Sequence, residues 1–312
     1  MSDPVVERYF STCRSLKKRF LRKPNITEAR DNFYSFGKQL IVSGNKEYAV
    51  SCYMSASQCE EQLGNTVGET NALTKAAALF LELEKDKQKL CISSNEHYLA
   101  AGIDCYNMAV NKLVATNKHD LALKLCVELG CLLVDVGHIP DAEPHFIKAS
   151  SLINPGNITL QIVVLKKLCY CKTYCKNYMG ALETLDRLVY LINVSTSMIE
   201  EKITSHLQDT LEFCELTTLL LLLIVNTPFL HLSQLHKDLI DKYSTVPLDV
   251  LTSEAEVDRF INLVEIAMAT KHRDYRTLTT LHNKLYSTLD SQQNELFREL
   301  ISRVEDIHLV LL

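Results

Sequence analysis

Cys169, Cys171 and Cys175 form the one cluster in this sequence with residues suited to a metal ion. Thiolates are soft ligands, and a structural zinc site needs four donors in a tetrahedron. On one helix Cys171 and Cys175 share a face, whereas Cys169 turns roughly 200° away from Cys171. With no fourth ligand at a suitable spacing, ordinary buried thiols are expected. Glu212 and Glu215 could act as an acid pair in proton transfer, but no nucleophile or base stands near them, so helix-surface carboxylates are expected. His231 and His236 are badly spaced for one ligand face and read as surface or helix-end residues. The sequence has no phosphate-binding glycine loop, nucleophile elbow or paired His-Glu metal helix. The expectation is a protein without catalysis, cofactor or metal, whose chemistry is that of binding.

Charge is the chemistry left. Arg8, Arg14, Lys17, Lys18, Arg19, Arg22 and Lys23 against Asp3 and Glu7 give residues 1–24 a net charge of +5, although the whole chain carries −5. The basic segment fits a nuclear-import or nucleic-acid patch, a membrane-surface helix, a dock for an acidic protein, or a solvated helix face. Nucleic acid is disfavoured because the remaining chain is net acidic and shows no nucleic-acid-binding motif. At the other end Asp290, Glu295, Glu299, Glu305 and Asp306 outweigh Arg298 and Arg303.

The elements that carry these charges read as helices. The chain is 47% hydrophobic and holds only 9 Gly and 7 Pro in 312 residues, too few turn formers for a protein of many short strands. Residues from Asp3 to about Arg22 predict a basic amphipathic helix with Val6, Tyr9, Phe10, Cys13 and Leu16 near one face. Pro24 ends it, and Asn25 with Glu28 has the form of a fresh N-cap. Phe33, Phe36, Gly37 and Leu40 follow, then a turn at Ser43–Asn45, then Ala49, Tyr53 and Ala56. Small residues let two antiparallel helices approach while the aromatic fills the gap between them, the signature of a tetratricopeptide-type pair. The pattern recurs at Cys126, Leu129, Gly130 and Leu133, with Ala142, Phe146 and Ala149 after a turn at Gly137–Pro140. A degraded copy has Leu168 before Ala181, Leu185 and Leu188. Between the good copies lie two further helical segments, Glu69–Lys87 and Asn95–Thr116, with a solvated charge run at Lys85–Lys89.

After Ile192 a short polar link, Asn193 to Ser197, leads to a long helix ending in Leu219–Val225, which is apolar on every face. That run is far short of the roughly 20 residues of a membrane span, and Thr227-Pro228 stops it. It is expected to be a buried spine, with no transmembrane segment in the chain. Further helices follow at Leu232–Tyr243, Glu254–Thr270, Asp274–Leu289 and Ser291–Leu312. Val257, Phe260, Ile261, Val264 and Met268 make one stripe, and Leu296, Leu300, Val304 and Ile307 another. About fourteen helices without a strand predict an all-α, tetratricopeptide-like α-solenoid of stacked antiparallel helical hairpins. Its parts are a basic N-terminal helix over 1–24, tetratricopeptide-like hairpins over 25–194 and C-terminal hairpins over 198–312 that include the buried Leu-rich helix. Eleven unframed cysteines and an N-terminus without a signal-peptide core predict free thiols in the cytoplasm.

Two stretches, Leu16-Lys-Lys-Arg-Phe-Leu-Arg-Lys-Pro-Asn25 and Cys214-Glu-Leu-Thr-Thr-Leu-Leu-Leu-Leu-Leu223, resemble the forty-kilodalton huntingtin-associated protein family. Looser similarity follows in order at Lys75–Leu81, Tyr178–Leu182, Asp238–Ser244 around Lys242-Tyr243-Ser244, and Met268–Thr270. The resemblance implies a non-catalytic helical protein that binds huntingtin, a giant helical-repeat scaffold, in a one-to-one complex between that partner's repeat domains. It also implies an indirect link, through the small GTPase Rab5, to early-endosome motility. The chain departs from vertebrate members in lacking a Gly/Ala-rich N-terminal extension and in having a short link near Asn193 in place of a long Pro-rich insertion. No function of those segments is carried over. Within this frame Lys17, Lys18, Arg19, Arg22 and Lys23 are expected to dock on an acidic surface of the partner. Glu295, Glu299, Glu305 and Asp306 are expected to meet a basic one. The rival reading is a reversible vesicle-trafficking adaptor of the soluble-attachment-protein type, and a third is a nuclear protein that uses the basic helix.

Overall fold

The computed structural model describes residues 4–16, 24–90, 96–196, 201–226, 232–244 and 254–310, and every regular element among them is an α-helix. The expected all-α, tetratricopeptide-like build is what the chain adopts. Two compact units divide it, Met1–Val164 and Leu165–Leu312.

The first unit contains α1 (Pro4–Leu16), α2 (Ile26–Val42), α3 (Lys46–Gln62), α4 (Thr66–Lys89), α5 (His97–Ala115), α6 (His119–Val136), α7 (Ile139–Leu152) and the start of α8 (Ile158–Tyr174). Helix α2 begins where the sequence says it should. The Asn25 carboxamide oxygen accepts the Glu28 backbone N–H at 3.2 Å, and the amide nitrogen donates to the Glu28 carboxylate at 3.0 Å, satisfying a donor that a helix start leaves unpaired. Phe33, Phe36, Leu40, Ala49, Tyr53 and Ala56 are buried together. A Cβ on Gly37 would lie 3.0 Å from the Tyr53 ring, and one on Gly130 would lie 2.7 Å from the Phe146 ring. The small-against-aromatic contact is therefore literal in both recognised hairpins.

The segment between them hides a third hairpin. Gly102, Tyr106 and Ala109 of α5 repeat the spacing of Ala49, Tyr53 and Ala56, and all are buried. On α4, Leu73, Ala76, Ala77 and Phe80 repeat that of Phe33, Phe36, Gly37 and Leu40. A Cβ on Gly102 would lie 3.3 Å from the Ala77 carbonyl oxygen, so α4 and α5 also close on a small residue.

One turn recurs throughout. At the end of α6 the His138 N–H reaches the Leu133 carbonyl and the Gly137 N–H reaches that of Val134, with Gly137 at φ +88. This paired closure uses the left-handed residue to reverse the chain and satisfy the last carbonyls. The same two bonds close α2, α3, α5, α8 and α12. The left-handed position holds Asn117, Lys176 and Arg273 at the ends of α5, α8 and α12, where no glycine marks the turn.

The second unit contains the rest of α8, then α9 (Tyr178–Thr196), α10 (Glu201–Val225), α11 (Gln234–Ser244), α12 (Glu254–Lys271), α13 (Tyr275–Leu285) and α14 (Ser291–Val310). In the degraded copy Cys169 occupies the small slot and Leu185 the bulky one, both buried. Leu219, Leu220, Leu221, Leu222 and Ile224 are buried as expected, and α10 is packed by α9, α11, α12 and α14. Polar bonds hold this spine in register. Gln293 donates to Thr217 Oγ1 at 3.1 Å, and Arg303 donates to the Ile224 carbonyl at 2.9 Å.

Some expectations change, and others fall outside the described residues. Among the described residues α1 ends at Leu16, and Lys17–Lys23 lie outside them. Val6, Tyr9, Cys13 and Leu16 pack on the first core, but Phe10 is exposed. Asn193 to Thr196 are the last turn of α9 rather than a link, while Ser197, Thr227, Pro228 and His231 lie outside the described residues. On α12 the buried stripe is Phe260, Leu263, Ile266 and Ala269, and Ile261 and Met268 face outward. Leu296, Leu300 and Val304 are buried as expected.

Candidate interaction surface

The residues considered for metal or acid–base chemistry serve packing and ion pairing. Cys169 and Cys171 are buried and Cys175 is exposed, so the three diverge. Burial pushes the Cys169 thiol up to about 11, against smaller opposing bonds from Gln292 and Thr173. Among the described residues no group of three His, Cys, Asp or Glu could hold a metal ion, and no helix is long and apolar enough to cross a membrane.

Glu212 and Glu215 are more than surface carboxylates. The guanidinium of Arg259 lies 3.2 Å from Glu212 and 2.6 Å from Glu215, and Lys242 also binds Glu215. Burial raises the Glu215 carboxyl, but hydrogen bonds from Lys242 and Tyr243 and the nearby cations outweigh it, and the net shift is downward. His236, expected at the surface or at a helix end, stands in the first turn of α11 and is buried there, with its Nε2 2.9 Å from Asp186 Oδ1. Both corrections have one cause. The partners Arg259 and Asp186 come from helices distant in sequence.

The basic candidates Lys17, Lys18, Arg19, Arg22 and Lys23 lie outside the described residues. The helix leading to them is firmly seated. Tyr9 bonds Ser55 through its hydroxyl at 3.1 Å and stacks on Phe33 at 5.5 Å between ring centres.

The acidic candidates sit on α14. Glu295, Glu305 and Asp306 are exposed. At about 100° per residue Glu295, Glu299 and Asp306 fall on one face and Glu305 about a quarter turn away. Glu299 is committed within the unit, accepting bonds from the Tyr178 hydroxyl and, at 2.7 Å, from Arg303. Burial raises its carboxyl, yet these two donors bring it below the usual range. Asp290 caps α14 by accepting the Gln293 N–H at 2.7 Å.

Sequence reasoning missed a groove in the second unit. Side chains of α9, α10 and α11 line a space of about 460 Å³. Helix α10 contributes Gln208, Leu211, Glu212 and Glu215, and α11 contributes Leu235, Asp238, Leu239 and Lys242, each at successive turns of one face. The His236–Asp186 pair joins α11 to α9, and Arg259 stands among the lining residues beside Glu212 and Glu215. Tyr190 on α9 is 68% exposed. The stripe on α11 was legible in the sequence, but nothing there placed α9 opposite it.

No family model matches the chain. It is similar to 40-kDa huntingtin-associated protein of Rattus norvegicus, at 26% identity over 341 aligned positions that cover 93% of this chain and 90% of the relative. The protein of the same name from Mus musculus matches with the same identity and coverage. The family-level resemblance read from Leu16–Asn25 and Cys214–Leu223 is thereby borne out. Among solved structures the chain is similar to the apo form of RapI, with a TM-score of 0.28, 12% identity and coverage of 97% of this chain and 98% of that one. It is also similar to a circular tandem repeat protein with novel repeat topology, with a TM-score of 0.25, 12% identity and coverage of 90% and 76%.

Proposed function

We propose, from kinship at the family level with the 40-kDa huntingtin-associated proteins, that this chain is a non-catalytic binding and stabilising partner of huntingtin. One copy would lodge between the helical-repeat domains of that partner. The observation that carries this reading is the extent of the similarity, which spans 93% of the chain and 90% of the rat relative, so both units are included. The chemistry agrees with it. Glu212, Glu215, Lys242 and Arg259 are spent on ion pairs between helices, and the described surface carries charged groups of both signs with scattered large apolar side chains. Long-lived partners of this kind bury more than a standard interface.

Charge would set orientation and register more than affinity. Lys17, Lys18, Arg19, Arg22 and Lys23 are assigned to an acidic surface of the partner. Glu295, Glu305 and Asp306 are assigned to a basic one, with Glu299 supporting the acidic face from within. The same proposal places the protein in the cytoplasm, with early endosomes and the nucleus as further sites and Rab5-linked motility as a downstream role; these rest on the resemblance alone.

Capture on the immobilised full chain tests the reading. Huntingtin should be retained, and charge reversal at Lys17, Lys18 and Arg19 should lower the salt concentration at which it elutes. A chain that ignores huntingtin but binds anionic liposomes reversibly would overturn the proposal in favour of a trafficking adaptor.

A further inference from the structure

The groove over α10 combines apolar side chains with an excess of carboxylates. Val189, Leu211, Leu235 and Leu239 line it. Leu235 is 51% exposed and adds little to the core. Lys242 and Arg259 are both engaged by Glu215, and Arg259 also pairs with Glu212. Asp238, on the opposite side of α11 from Tyr243, is exposed and accepts a bond from the Gln234 amide at 2.7 Å; among the described residues no cation pairs with it. With four carboxylates and two cations among its lining side chains, the groove is net negative around an apolar centre.

We propose that this groove is the docking site for a short basic amphipathic helix. Two or three of its Leu or Phe side chains seat between α9 and α11, and its Lys or Arg residues meet Asp238. A volume of about 460 Å³ suits a few anchoring side chains rather than a whole helix, which is about 10 Å across. An apolar face laid into a groove by successive helical turns is a common mode of peptide recognition, and the excess of carboxylates selects a basic segment over an acidic one. The inference rests on the reading of this chain as the binding partner of a helical-repeat protein, whose helices offer such faces.

Two fluorescein-labelled peptides of about four helical turns test it. They share one Leu stripe and carry either Lys or Glu at all other positions. Anisotropy with the purified full chain should show binding of the Lys peptide and none of the Glu peptide. Leu235→Glu and Asp238→Lys should each weaken the Lys peptide by about tenfold or more, whereas Met268→Glu, on α12, should bind as the unaltered chain does. Thermal unfolding confirms that each variant is folded. No binding of the Lys peptide, equal binding of both peptides, or unchanged binding by the folded groove variants would overturn the inference. Huntingtin capture without peptide binding sinks the groove and leaves the function standing. Groove-dependent peptide binding without huntingtin capture does the reverse.

Discussion

The Phe146 ring lies so close to Gly130 that a Cβ at that glycine would come within 2.7 Å of it. The contact shows how the hairpins of the first unit close. One helix gives up a side chain so that an aromatic of the next can reach its backbone. Gly130→Ala should therefore destabilise the protein by about 1–3 kcal/mol through overpacking. Thermal unfolding would measure it, and an unchanged melting temperature would mean that α6 and α7 can part at no cost.

The centre of the second unit is less forgiving. Leu221 has no exposed surface, so Leu221→Asp buries an unpaired carboxylate and should cost more than about 4 kcal/mol. The variant is expected in the insoluble fraction without helical circular dichroism. Leu235→Asp, at a half-exposed site, should stay soluble. A folded Leu221→Asp chain would place this helix face at the surface.

Arg273 adopts φ +57 at the end of α12, in the position that Gly137 fills at the end of α6. A side chain in the left-handed region costs roughly 1 kcal/mol relative to glycine. Arg273→Gly should raise the melting temperature, offset in part by a more flexible unfolded chain. A lower melting temperature would show that the Arg273 side chain contributes more than its backbone strain costs.

Acid should loosen the second unit through Glu215. Its carboxyl lies below the ordinary value of 4.5 because the bonds and charges of Lys242, Tyr243 and Arg259 exceed the effect of burial. A depressed folded value means stability that is present above 4.5 and lost as pH falls through the folded value. Glu215→Gln should lower the melting temperature near neutral pH and flatten its fall below 4.5. Parallel melting curves for the two chains across that range would contradict the role given to this residue.

How much of this was legible in the sequence follows from how local each signal is. The Gly37–Tyr53 and Gly130–Phe146 hairpins could be read because a short turn keeps both halves at one fixed separation. The α4–α5 hairpin carries the same spacing, but a long α4 and the residues before α5 separate its halves in the chain and hide the repeat. On α12 two overlapping stripes share Phe260, and only the neighbouring helices decide that Leu263 and Ile266 turn inward. His236 reads as a surface or helix-end residue; it is at a helix end, but its burial was not legible because its partner, Asp186, is far away in the chain. The groove was out of reach for the same reason, since it exists only where α9, α10 and α11 meet.

The most direct test of the central claim is the mass of the complex. The purified 312-residue chain mixed with purified huntingtin should form one species by sedimentation, heavier than huntingtin alone by a single copy of 35.4 kDa. Two components that sediment separately at micromolar concentration would contradict the account.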